Sequence, residues 1–88
     1  MKRYIVSYDI GRDRARRRVA RLLMRRGRRL QESVFEVLAH QNQLVRLLQL
    51  VKPLLTSTDS VMAFTTTGEA QVVGPSHVAL TQPRVSVL

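Results

Sequence analysis

Residues 4–23 carry two hydrophobic periods in succession, and that change of period constrains the fold more than any other feature of the chain. From Tyr4 to Asp9 the side chains alternate, with Tyr4, Val6 and Tyr8 on one face of an extended segment and Ile5, Ser7 and Asp9 on the other. Past Gly11, the apolar residues Ala15, Val19, Leu22 and Leu23 recur at i, i+4, i+7 and i+8, the stripe of an amphipathic helix. A strand over 2–9 thus delivers one carboxylate, Asp9, to its end, and a helix over 12–26 follows at once. Asp13 is placed to cap or complement the positive start of that helix, and Gly27 to end it as a C′ residue. A step of about 100° per residue puts Arg14, Arg17, Arg18, Arg21 and Arg25 in one outer arc, so the basic residues form a helix face. Arg16 adds to the same basic helix and counts with them as a nucleic-acid contact.

The charge distribution names the kind of partner. The chain has 88 residues and a formal net charge of +9. Twelve of its 15 Lys and Arg residues lie in the first 29 positions, the asymmetry expected of a protein that meets a polyanion. Thirteen of the 15 are Arg, the side chain suited to bidentate phosphate contacts. An acid set among so many cations points to a metal-binding or catalytic position facing phosphate. The alternative is that Asp9 caps the following helix.

The remaining elements read in order. Arg28 to Ala39 is extended and divides into two strands near Glu32-Ser33. A second helix spans about Gln41 to Lys52, with Leu44, Leu47, Leu48 and Val51 buried, and Pro53 stops it. Strands are expected over 61–66 and 70–73, with turns at Gly68-Glu69 and Gly74-Pro75. The result is an α+β chain, a ferredoxin-like β-α-β-β-α-β sandwich with an additional C-terminal strand. Residues 1–80 form the single domain, and 81–88 a tail or edge strand. A chain this short buries only about 60–65% of its unfolded surface, so self-association is an expected source of stability. Cysteine is absent, which excludes disulfides and thiolate metal sites and suits an intracellular setting. No apolar run approaches a membrane span, and the first residues lack the apolar core of a signal peptide.

Several side chains carry less. His40 and His77 are too far apart to suggest zinc, and Ser33 has no His and Asp partners for nucleophilic catalysis. Phe35 reads as core or subunit interface, and Glu36 as a solvated strand position. Tyr8 could bond a phosphate or simply pack. Two Tyr and two Phe are the only aromatics, too few for single-strand recognition by stacking.

Tyr8-Asp9-Ile10 at the end of the first strand, the Arg-rich helix and Arg29-Leu-Gln-Glu-Ser-Val-Phe-Glu36 together resemble the Cas-two family of CRISPR-associated proteins. The Ser33-Val34-Phe35-Glu36 block is the specific part, and the resemblance covers residues 1–66. It implies a prokaryotic, cytoplasmic homodimer that works in acquiring CRISPR spacers and bridges dimers of the Cas-one integrase on duplex DNA. It also implies metal-dependent endonuclease activity on RNA or DNA, with Mg²⁺ or Mn²⁺ held between the two Asp9 side chains across a dyad. Tyr8, Arg16, Arg18, Arg29 and Phe35 match further positions that the family links to activity. Members often carry more acids after the Tyr-Asp pair, whereas this chain has Gly11-Arg12-Asp13. Two alternatives stand beside catalysis: a purely structural DNA-binding adaptor, and a ferredoxin-like RNA-binding or interferase module outside CRISPR systems.

Overall fold

The alternating segment forms strand β1 (Lys2–Asp9), and the stripe that follows it forms helix α1 (Asp13–Met24). Then come β2 (Gly27–Gln31), β3 (Val34–Ala39), α2 (Gln41–Val51) and β4 (Ser60–Thr65). The computed structural model describes residues 1–67, 70–72 and 85–87. The turns expected at Gly68-Glu69 and Gly74-Pro75, together with His77 and Arg84, lie outside them. A 3₁₀ turn (Lys52–Leu54) containing Pro53 closes α2. The break between β2 and β3 falls at Glu32-Ser33.

The strands form one antiparallel sheet in the order β2-β3-β1-β4, the ferredoxin-like arrangement expected from the sequence. Two short strands, β5 (Ala70–Val72) and β6 (Val85–Val87), pair in parallel as a separate two-stranded sheet.

Register explains which face is covered. Tyr4 lies opposite Val37 and Val6 opposite Phe35, on the same face of the sheet. These residues, with Tyr8 and Ala39, bury against Ala15, Val19, Ala20 and Leu23 of α1 and Leu44, Leu47 and Val51 of α2. Both helices therefore share one face. Phe35, Leu23, Val6, Val19, Val37 and Val51 are fully buried, and each stabilises the fold by about 1.5–3 kcal/mol relative to exposure. Among the described residues, no helix is long and apolar enough to cross a membrane.

Two expectations need correction. Gly27 does not terminate α1 in a left-handed conformation: no described glycine has positive φ, the helix closes at Arg25, and Gly27 opens β2. It must be glycine because a Cβ there would sit 1.9 Å from the Glu36 carbonyl oxygen and 2.9 Å from the Val37 Cα. Glu36 is not solvated. It lies on the sheet face away from the helices, opposite Ile5 and Arg28, yet is only 5% exposed. Its Oε2 is 2.7 Å from Arg3 Nε, and its Oε1 accepts from Arg28 Nε at 3.2 Å. Two guanidinium groups thus offset the desolvation of one buried carboxylate. The Arg3 contact is close in distance but poorly aligned, and Arg28 Nη2 is buried without an acceptor among the described residues.

Candidate nucleic-acid interface

The β1–α1 turn is held from both sides by charged side chains. Arg16 Nη1 donates to the carbonyls of Ile10 (2.9 Å) and Gly11 (3.1 Å), and Arg16 pairs with Asp13 one turn earlier. From the other side, Asp59 accepts the Gly11 N–H at 3.1 Å, the Thr56 N–H at 2.9 Å and the Thr56 hydroxyl at 3.0 Å. The N–H groups of Thr56 and then Gly11 hold the Asp59 carboxyl below the usual carboxylate range. Arg12 is the N-cap of α1 and donates to the Leu54 carbonyl at 2.8 Å. Asp9 therefore does not cap the helix.

Strand alternation separates the Tyr-Asp pair. Tyr8 points to the helix side, where it is 6% exposed and donates its hydroxyl to the Glu32 carbonyl at 3.0 Å. Asp9 faces the other side, opposite Ser60 of β4. Its side chain is exposed and makes no hydrogen bond or ion pair among the described residues.

Around Tyr8 the fold builds a cleft of about 370 Å³, lined by Tyr8, Asp13, Arg16, Arg17, Arg29 and Glu32. The Arg29 guanidinium lies 5.1 Å from the centre of the Phe35 ring, and that ring lies 6.2 Å from the Tyr8 ring. Phe35 itself is fully buried, so it supports Arg29 from below as core. Tyr8, Arg16, Arg29 and Phe35 are thus brought together. Asp9 stands on the opposite sheet face, and Arg18 lies further round α1 beside Pro53 and Leu54. Asp13 and Glu32, which the sequence did not single out for this site, complete the cleft walls. Only the pairing of β1 with β3 brings Glu32 to Tyr8, so no local spacing reports it.

The arc expected on α1 is present. Arg14, Arg17, Arg18, Arg21 and Arg25 are all exposed, whereas Arg16 is half-buried against the turn it holds. Arg16 is in the first place a structural clamp, and it also lines the cleft.

No group of three or more His, Asp or Glu side chains suited to a metal occurs among the described residues. One chain offers Asp9, a hard oxygen donor on an open face. A lone carboxylate does not by itself make a Mg²⁺ or Mn²⁺ site, and such a cation would need a second acidic donor from outside this chain.

Fold and site define a ferredoxin-like protein with an arginine-bearing helix face and an acid at the end of its first strand. Residues 1–72 match the family model described as CRISPR associated protein Cas2, and the chain belongs to that family. This membership sets aside a module outside CRISPR systems. Among solved structures, the chain is 32% identical to a hypothetical protein from Thermus thermophilus, with 88% of this chain and 95% of that one covered and a TM-score of 0.78. It is 25% identical to Cas2 of Streptococcus pyogenes, covering 74% and 86% respectively, with a TM-score of 0.69. A chain of a partial Cas6-RT-Cas1–Cas2 complex is 31% identical, covering 74% and 78%, with a TM-score of 0.60. The curated proteins contain no match.

Proposed function

We propose that this protein serves CRISPR adaptation as a basic homodimer that binds duplex nucleic acid through α1 and bridges the Cas1 integrase. The exposed arc of Arg14, Arg17, Arg18, Arg21 and Arg25 carries the binding reading. Five guanidinium groups along one helix face contact phosphates without reading base edges, so affinity is weakly dependent on sequence and strongly dependent on salt. The similarity to a chain of a complex that contains Cas1 supports the integrase as partner.

Dimerisation finds support on the uncovered side of the sheet. Met62 is 60% exposed and Phe64 48% exposed. Phe64 lies opposite Ile5 and Met62 opposite Ser7, on one face with Leu38. A second copy placed there would bury this apolar surface and bring two Asp9 side chains toward a common axis.

Endonuclease activity is the second reading, and the exposed, unpaired Asp9 favours it. A cation held by two such carboxylates would polarise a phosphoryl oxygen and lower the pKa of a bound water. Arg29, fixed over Phe35, and Arg17 line the cleft on the other face of the sheet, so their contribution would be to hold phosphate away from the cation. Sugar and base identity enter neither contact, so RNA and DNA are both candidate substrates.

The test compares wild type with Asp9→Ala and with an Arg17→Ala, Arg21→Ala double variant. Cleavage of duplex DNA and single-stranded RNA is followed with Mg²⁺, Mn²⁺ or EDTA, beside binding of uncut duplex. The adaptor reading expects the double variant to lose duplex affinity and about two units of salt slope, with Asp9→Ala unchanged. Duplex affinity indifferent to both arginines would sink it. The nuclease reading further requires cleavage that disappears with Asp9→Ala and with EDTA.

A further inference from the structure

The side of α1 that turns toward α2 sets an apolar floor, which phosphate binding does not use, beside arginines of the outer arc. Two concavities adjoin there, sharing Arg25 and Leu50. One, of about 370 Å³, runs over Leu47 and Leu50 and is edged by Arg25, Arg26 and Arg46. The other, of about 290 Å³, runs over Leu22, Leu50 and Leu54 and is edged by Arg18, Arg21 and Arg25. Leu50 is 55% exposed at the junction. No acidic side chain lines either concavity.

We propose that this α1–α2 groove is a docking site for an acidic amphipathic segment of a partner protein. Such a segment would set leucine-like side chains on the apolar floor and carboxylates against the arginine rim. Charge complementarity argues for the acids, and the floor argues for a protein. A phosphate backbone satisfies the rim but cannot cover leucine, whereas an apolar centre within a polar rim is the anatomy of protein interfaces. A second copy of this chain is a poor occupant. Its acids are only Asp9, Asp13, Glu32, Glu36, Asp59 and Glu69, no two adjacent. Of these, Glu36 is buried, and Asp13 and Asp59 are already engaged. The inference needs neither the nuclease reading nor the nucleic-acid reading.

A fluorescent peptide of repeating Glu-Glu-Leu-Leu composition is titrated with the full chain, beside the same peptide carrying Ser for Leu, and beside labelled duplex DNA. Leu50→Gln preserves helix propensity and removes the apolar contact. Arg46→Gln independently removes a rim charge that lies off α1. The expected result is that the leucine peptide binds about tenfold or more tightly than the serine peptide. Leu50→Gln should erase that advantage, Arg46→Gln should weaken both peptides, and duplex binding should be unchanged by either variant. Equal binding of the two peptides, or no effect of Leu50→Gln, overturns the proposal. Loss of duplex binding in Leu50→Gln also overturns it, by making the groove a nucleic-acid site.

Discussion

The two faces of the sheet are made by the same strands and have opposite fates. On the helix side, Tyr4, Val6, Phe35 and Val37 are sealed under α1 and α2. One residue away along the same strands, Ile5, Leu38, Met62 and Phe64 keep apolar surface in water, with Glu36 and its two arginines set among them. The covered face specifies the subunit. The open face has apolar content beyond what a lone subunit requires, and that surplus is what the proposed dimer would use.

The sharpest way to break this contrast is at Phe35, which is fully buried. Phe35→Ala should cost about 3–5 kcal/mol of unfolding free energy and release Arg29 from its support, read by urea denaturation. Gly27→Ala attacks the covered face through the backbone, because a methyl group would meet the Glu36 carbonyl. A loss of about 1–3 kcal/mol is expected, and unchanged stability would show that β2 shifts freely at the sheet edge. On the open face the outcome inverts. Phe64→Ser should change the stability of the dilute subunit by less than about 1 kcal/mol, but raise the dimer dissociation constant roughly tenfold or more. Sedimentation across a concentration series separates these, and self-association that is indifferent to Phe64 would move the dimer off this face. The smallest effect is expected at Asp59. Its carboxyl is held below the usual range, so its charged form favours the fold. The contribution is full above the ordinary carboxylate range and is lost as pH falls through the lowered folded-state value. Asp59→Asn should therefore melt slightly earlier at neutral pH, and the difference from wild type should close in acid.

How much could be read from the sequence divides along the same line. The alternation of Tyr4 to Asp9 and the stripe from Ala15 to Leu23 placed β1, α1 and the outward arginines correctly, because each is a local pattern with one period. Glu36 is illegible locally, because a glutamate in a strand looks solvated until register sets Arg3 and Arg28 beside it. Gly27 reads as a helix terminator but is needed where β2 passes the Glu36 carbonyl, and crowding against a carbonyl nine residues ahead leaves no local signal. Arg16 and Asp59 hold the turn between β1 and α1 through contacts that only the folded chain creates.

Arg16 has a consequence for sequence variation. For the proposed duplex contact the outer arc of α1 would need chiefly positive charge near phosphate, so exchange of Arg for Lys at 14, 17, 18, 21 or 25 should preserve most of the binding. At position 16 one planar fork reaches two carbonyls and a carboxylate together, and an ammonium on a flexible stem does not span that set. Relatives that vary freely between the two cations elsewhere on the helix should therefore hold arginine at 16, and an alanine scan that finds 16 indispensable would be reporting the shape of the β1–α1 turn.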